Sequence, residues 1–455
     1  MSESTDLVCA VQVDLLIKNC LIITVDPGRR VISKGFIAVK DSRIVSIGSG
    51  EPSALTSDLA IDASGRIALP GFVCSHNHMY GVLTHGMPME AASSNFRDLL
   101  NDFWWPHVED RLNKNQIVAA TRLACVEMAH SGTTCFADIL EAPNSIPGAL
   151  EAEAAVVKEV GLRGILSFEA SERLGPEIRD ASVKENLEFI KKWNRNDQNV
   201  RGKFCTHTLF TCSPEFLGSV RELANQFQTG VHIHLEEGAY ETEFCLKKYK
   251  ELPVQVYDRI GYLGSDLLAS QCVHTRPEEI ALFQKHGVKL AHMPLSNCEI
   301  GAGVAPVRQF LAAGLTVGLG TDGYLTDMFD VMRAAFLIHK GYLQDANVMP
   351  AQTVLDMATI KGAEAVGLGD QIGSLEVGKK GDIILLDAQL PTPITTDNVV
   401  GQLVSFGKGS FVQHAFVDGK MIVENSHVVT TNEEEAKAHC RNAAESLWSE
   451  LPTRK

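Results

Sequence analysis

Residues 68–78 read Ala-Leu-Pro-Gly-Phe-Val-Cys-Ser-His-Asn-His, an apolar run that ends in two imidazoles at i and i+2. Residues at that spacing face the same side of a strand, so His76 and His78 point at one place. The run is short, apolar and followed by a polar terminus, the pattern of a strand buried on both faces. Seven more such runs follow, at 133–138, 164–168, 203–208, 230–234, 267–274, 288–293 and 316–320. Helical periodicity lies between them, as at 114–130, 146–160, 182–193 and 214–228. Eight strand-and-helix units in about 300 residues predict an α/β fold, a (β/α)8 barrel of the TIM type. No G-x-G-x-x-G follows the first strand, which argues against an open nucleotide-binding sheet.

Outside this region the pattern changes. Runs at 13–17, 21–25, 35–39 and 44–47 alternate apolar and polar residues between turn clusters such as Asp26-Pro27-Gly28, and predict a small antiparallel sheet. The same style returns at 381–387, 412–417, 420–423 and 427–430. Pairing the two ends into one β-sandwich satisfies both, because the termini of a compact body often lie close together. The expected division is residues 1–66 and 369–431 for the two parts of the sandwich, 67–368 for the barrel, and 432–455 for a charged C-terminal helix.

Of the 455 residues, 45% are hydrophobic and 21% charged, enough to bury a large core and unlike a disordered chain. Against 41 basic side chains stand 56 acidic ones, a net charge of −15 with no basic run, so a polyanion is repelled and no nucleic-acid partner is expected. No apolar stretch reaches the ~18 residues of a membrane span. Residues 1–11 carry Glu3 and Asp6 where a signal peptide is basic, so no membrane partner and a cytoplasmic location are expected. The acidic surface leaves a homo-oligomer open. Eleven cysteines without any C-x-x-C read as small buried hydrophobes and not as a disulfide framework. Cys74 and Cys272 stand near the histidine motifs, but no base points at either thiol.

Such barrels keep their active sites at the C-terminal ends of the strands. The fifth strand ends His232-Ile233-His234-Leu235-Glu236-Glu237, the sixth Cys272-Val273-His274, and the eighth Gly320-Thr321-Asp322. Imidazoles and a carboxylate from four strands thus converge on one rim, the nitrogen-and-oxygen donor set of a transition metal. Taken singly, these residues have plainer readings. A lone histidine at a strand end is more often a satisfied polar group than a ligand, which covers His85, His207 and His292, and Asp322 alone reads equally as a helix cap. The whole set does not reduce to such readings. Alternation faces both His232 and His234 inward, so the pattern leaves the ligand of that strand open, with His234 preferred as nearer the rim.

In this order "PGFVCSHNH", "HIHLEE", "CVHT", "HMPLSN" and "GLGTDG" resemble the amidohydrolase superfamily, in particular the aminohydrolases that deaminate ring systems. The flanking "GSLEVGKKGDIILLD" and "VDGKMIVENS" resemble that branch's split β-sandwich, so the likeness covers nearly the whole chain. "GTDGYLTDMF" and "FWWP" are similar to aminohydrolases of the SsnA type and, more distantly, to the methylthioadenosine and S-adenosylhomocysteine, guanine and triazine hydrolases. The resemblance implies His76, His78, His234 and Asp322 as metal ligands, Glu237 as a proton carrier and His274 as the contact to an attacking hydroxide. Its H-x-x-E spacing selects His234 over His232 and Glu237 over Glu236.

Binuclear members need a bridging lysine at the end of an earlier strand, whereas Lys203 lies at the far end of the fourth, so one divalent ion, zinc or iron(II), is expected. His207 resembles a substrate-contacting histidine, and Glu109 a sugar-contacting acid, although an extra residue precedes it. Trp105, with Trp104, reads either as a stacking surface for a flat heterocycle or as core. Ser296 and Asn297 read as ties for the seventh loop, and Tyr324-Leu325-Thr326-Asp327 gives the pocket a wall unlike that of nucleoside deaminases.

The activity so implied is metal-dependent hydrolytic deamination of an aminated purine, pterin or similar ring, a hydrolase acting on C–N bonds other than peptide bonds. A metal brings the pKa of bound water from 15.7 to ~7. Asp322 is then expected to take that water's proton, and Glu237 to protonate the ring nitrogen. A second reading keeps the site and changes the leaving group to chloride or an alkylamine on a triazine-like substrate. A third, a non-catalytic scaffold, is opposed by the complete ligand set.

Overall fold

The computed structural model describes residues 11–52, 55–88, 96–195, 198–323, 325–449 and 451. Expectations that fall on residues 1–10, including Cys9, or on Tyr324 lie outside the described residues. Five strands come first, β1 (Val11–Ile23), β2 (Val31–Lys40), β3 (Arg43–Ser49), β4 (Leu55–Asp62) and β5 (Ile67–Pro70). Then come β6 (Phe72–Asn77), β7 (Thr133–Leu140), β8 (Arg163–Ala170), β9 (Val200–Gly202), β10 (Phe204–Thr206), β11 (Val231–Leu235), β12 (Leu267–Gln271), β13 (Lys289–His292) and β14 (Val317–Leu319). The chain finishes with β15 (Ile383–Leu386), β16 (Val412–Val417), β17 (Lys420–Glu424), β18 (His427–Val428) and the helix Glu433–Trp448.

Parallel pairing runs β6-β7-β8-β10-β11-β12-β13-β14, with β9 beside β8. Closure falls at the rim, where the Thr321 and Asp322 amides both donate to the His76 carbonyl, at 3.0 and 3.2 Å. Only glycine allows that approach, because a Cβ on Gly320 would stand 2.6 Å from the His76 carbonyl oxygen. Every residue of β6 and β7 is buried, since helices cover the outer face and side chains fill the inner one. The barrel expectation thus holds, with three changes in detail. The run at 68–74 is broken at Gly71, where a Cβ would lie 2.1 Å from Thr134 Oγ1, and its first half leaves for the other sheet. The fourth strand is broken at Lys203 into β9 and β10. The sixth stops at Gln271, three residues before His274, because Gln271 and Cys272 take φ of 74° and 49°.

The two chain ends share one sheet, ordered β18-β17-β16-β15-β5-β1-β2-β3 with β4 on β1. Its seam is the antiparallel β5–β15 ladder, which joins Leu69 to Ile384. It is mixed and not antiparallel as expected, since β1 pairs in parallel with both β4 and β5. Two of the expected strands, 13–17 and 21–25, are one strand carrying an irregularity at Asn19. β4 escapes the sequence reading because its alternation is mostly polar and exposed. Arg163 fastens this sheet to the barrel through Asp382 at 3.1 Å and Asp418 at 2.9 Å. Among the described residues no helix is long and apolar enough to cross a membrane.

Candidate active site

Three strand ends deliver donors to one point. His76 Nε2 stands 2.8 Å from Asp322 Oδ1, His78 Nε2 3.3 Å from the same oxygen, and His78 Nε2 3.2 Å from His234 Nε2. His78 Nδ1 lies 2.9 Å from the Ile139 carbonyl, which only accepts, so that nitrogen carries the proton and Nε2 presents a lone pair. His234 Nδ1 faces the Glu169 carboxyl at 3.4 Å, and neither atom has any other partner. A proton on that nitrogen again leaves a lone pair on Nε2. Two imidazole lone pairs and a carboxylate oxygen at these separations repel one another unless a cation is shared. A tetrahedral zinc with arms of 2.0–2.1 Å has edges of about 3.3 Å, so the donor set fits such an ion.

His232, left open by the pattern, belongs one layer deeper. Its Nε2 lies 2.8 Å from Ser270 Oγ and 3.0 Å from His76 Nδ1, where it steadies the His76 ring from behind. Asn77, between His76 and His78, braces the site crosswise. Its amide donates to Asp138 at 3.3 Å, and its oxygen accepts from Thr321 Oγ1 at 2.7 Å and the Gly323 amide at 3.1 Å. The first, second and eighth strands are thereby tied together at the rim.

The donors open into a cavity of about 650 Å³ whose wall includes Tyr80, Phe103, Trp104, Trp105, His207 and Glu237. A larger depression of about 800 Å³ lies beside Arg29 and Lys289, at the N-terminal side of the strands. It holds none of the converging donors. Burial raises the Glu237 carboxyl well above its usual range, and the charge of Asp322 adds to this. Asp322 goes the other way. Burial opposes its charge, but the His76 and His78 imidazoles beside it outweigh that and hold it well below the usual carboxylate range. The environments of the two neighbouring carboxyls thus push them in opposite directions.

Behind His78 lies a row of acids of which the sequence motifs mark only Glu109. Tyr80 Oη donates to Glu141, which also shares hydrogen bonds with Glu169 and Glu109. Burial and then the charge of Glu141 push Glu109 and Glu169 up, so this row carries its negative charge on Glu141. Glu109 also sits 3.5 Å from Arg173, and Arg173 stacks 4.7 Å over the Trp105 ring. Trp105 meets the His207 ring edge-on at 6.0 Å. His207 Nδ1 lies 2.6 Å from Thr211 Oγ1, and burial lowers its pKa to about 4.

Not every expected residue arrives. His274 is half-buried, its imidazole is bonded to the Ala302 backbone, and it is no part of the cavity wall. The early end of β12 turns it away, and Gln271 takes up the sixth strand's contact, donating from Nε2 to Asp322 Oδ2 at 2.9 Å. Strand alternation counted back from His274 passes through Cys272 and Ser270, so nothing in the spacing points to Gln271. Ser296 is more than a loop tie, since its hydroxyl also donates to Asp322 Oδ2 and it lines the cavity. Glu236 is turned inward to Thr242, so that of the two it is Glu237 that lines the cavity. His292 pairs with His339 at 3.0 Å, and His85 with the Gly323 carbonyl at 2.9 Å. The cysteines near the site are buried, with Cys74 bonded to Thr321 and thiols raised by burial.

A barrel that gathers three imidazoles and a carboxylate at its C-terminal rim, beside a buried glutamate, is a metal-dependent hydrolase. The chain belongs to the amidohydrolase family, whose pattern matches residues 67–422. It is 34% identical over 439 residues to the 5'-deoxyadenosine deaminase of Methanosarcina acetivorans, covering 95% of this chain and 98% of that one. It is 36% identical over 434 residues to the 5-methylthioadenosine/S-adenosylhomocysteine deaminase of Moorella thermoacetica, covering 93% and 97%. The structure of a zinc-bound adenosine deaminase from Xanthomonas campestris superposes with a TM-score of 0.88 at 26% identity, over 97% of this chain and 100% of that one. A triazine hydrolase structure with a TM-score of 0.85 at 23% identity, over 94% and 99%, shares the fold.

Proposed function

We propose that the protein removes the amino group from an aminated purine-type ring by hydrolysis, with one divalent ion, zinc or iron(II), held by His76, His78, His234 and Asp322. The observation that carries this reading is the convergence of His76, His78, His234 and Asp322 on one point, with Glu237 in the wall of the cavity that they open into. The names of the similar deaminases support a purine ring over other heterocycles.

The ion supplies a nucleophile at neutral pH, because a bound water's pKa falls from 15.7 to ~7. The chain's own groups do the rest. Asp322, its Oδ2 fixed by Gln271 and Ser296, orients the attacking water and takes the first of its two protons, which resets Glu237 at the end of the cycle. Glu237 hands its proton to the ring nitrogen beside the carbon under attack, takes one back from the nucleophile and delivers it to the departing ammonia. His207, neutral and tethered at Nδ1, offers Nε2 to the ring edge. Trp105, steadied by Arg173, gives the ring a flat wall. Glu109 is already engaged by Arg173 and Glu141, so a sugar hydroxyl has to share it. A halide would leave without a proton, and the protonated Glu237 therefore favours ammonia over chloride.

The test is ammonia release from a panel of aminated purines, pterins, pyrimidines and triazines, using protein whose metal has been counted. Release from purines with one metal per chain is expected. Silence across the panel from metal-loaded protein refutes the deamination.

A further inference from the structure

We infer that Gln271 positions Asp322 and, through its amide oxygen, makes the sixth strand's contact to the attacking water. The second half of this rests on the hydrolytic reading above, whereas the first half does not. β12 ends at Gln271 because Gln271 and Cys272 both adopt left-handed backbone, with φ of 74° and 49°. Pairs of this kind also form the surface hairpin turns at Asp41-Ser42 and Asn425-Ser426, whereas this one is buried at the end of a barrel strand. The turn brings the Gln271 side chain, 1% exposed, to Asp322. Its Nε2 donates to Asp322 Oδ2 at 2.9 Å, and Ser296 Oγ donates to the same oxygen. Both lone pairs of Oδ2 are then taken, so the carboxylate cannot rotate and Oδ1 stays turned to His76 and His78.

The other half of the amide points to the second role. Gln271 Oε1 is buried and, among the described residues, without a hydrogen-bond partner. Bond lengths within an amide put Oε1 under about 2.6 Å from Nε2, and so within about 5.5 Å of Asp322 Oδ2. A buried acceptor left unpaired is costly, and the hydrogen of a water held beside Asp322 relieves it. An amide oxygen accepts such a hydrogen and never carries the proton away, so proton transfer stays with Glu237 and Asp322. His274, bonded to Ala302, has neither contact.

The experiment titrates metal-stripped protein with cobalt(II), followed by its visible absorption, and measures kcat and KM of the fully loaded protein. Gln271→Met keeps the volume and removes donor and acceptor together. Its cobalt(II) affinity is expected to fall 10- to 100-fold, the usual effect of losing a partner that orients a ligand. Its kcat at full loading is expected to fall at least about 30-fold, with KM within about threefold. Gln271→His, which restores a donor to Asp322, is expected to recover the affinity to within tenfold of wild type. If Gln271→Met does not fold, Gln271→Asn, whose amide is one methylene short of Asp322, gives the same readouts. Unchanged affinity and spectrum overturn the positioning role. Unchanged kcat at full loading overturns the contact to water. A wild-type protein silent on every ring, with the cobalt(II) results as expected, sinks the deamination and leaves the positioning role standing.

Discussion

Glu237→Gln separates the chemistry of this site from its architecture. The wild-type carboxyl is buried, and burial together with the charge of Asp322 raises it well above its usual range. Glutamine copies the shape of the protonated form, its donor included, so the cavity wall and the ring contacts persist and KM is expected to change by less than about threefold. The amide cannot release a proton to the ring nitrogen or take one from the nucleophile. A shuttle of this kind contributes about 10²- to 10⁴-fold, so kcat is expected to fall by that factor, about 2.7 to 5.4 kcal/mol. Metal content stays at one per chain, because the Glu237 carboxyl is not among the converging donors. The assay is steady-state ammonia release with metal measured on the same samples. A variant that keeps its metal and loses less than tenfold in kcat refutes the proton-carrier role.

Other outcomes follow from the same structure. Chelation removes the ion that reconciles His78, His234 and Asp322, so thermal unfolding moves to lower temperature. At a thousandfold excess over its Kd one ion returns about 4 kcal/mol, and an unmoved melting temperature on metal addition argues against the site. His274→Ala is expected to change kcat by less than about threefold, and a hundredfold loss would return the sixth-strand role to that histidine. Lys203 is buried between β9 and β10, where desolvation lowers it from 10.5 to about 8. Its folded-state pKa is depressed, so the cost of charging it is complete below pH 8 and is relieved as pH rises from 8 to 10.5. Lys203→Met should therefore stabilise the fold by up to about 3 kcal/mol at pH 7 and by nearly nothing at pH 10.5, read by urea unfolding at both values. A gain that does not shrink with pH removes the charge from the explanation.

Most of the candidate site is legible in the order of residues. His76 and His78 share a face by strand alternation, and the end of each apolar run names the rim residues whatever the exact strand limits. The barrel itself follows from the recurrence of buried strand and helix, a local pattern that tolerates small errors in where each element begins and ends. Inferences that need the exact place where a strand stops go astray. β12 halts at Gln271 because of two left-handed residues, and that single local event exchanges an expected imidazole for an amide. The acid row of Glu109, Glu141 and Glu169 comes from three separate segments, and no spacing in the chain links them.

Residue order settles the barrel, the arrival of His76, His78, His234 and Asp322 at its rim, and the sheet shared by the two chain ends, because hydrophobic period and residue type act locally. Packing in three dimensions settles that β1 pairs in parallel with β4 and β5, that His232 stands behind His76, and that Gln271 and Ser296 grip Asp322. Those outcomes depend on how close one strand end comes to another. Closure of the barrel fixes that distance, through the approach of Gly320 to His76, and no part of the chain carries it alone.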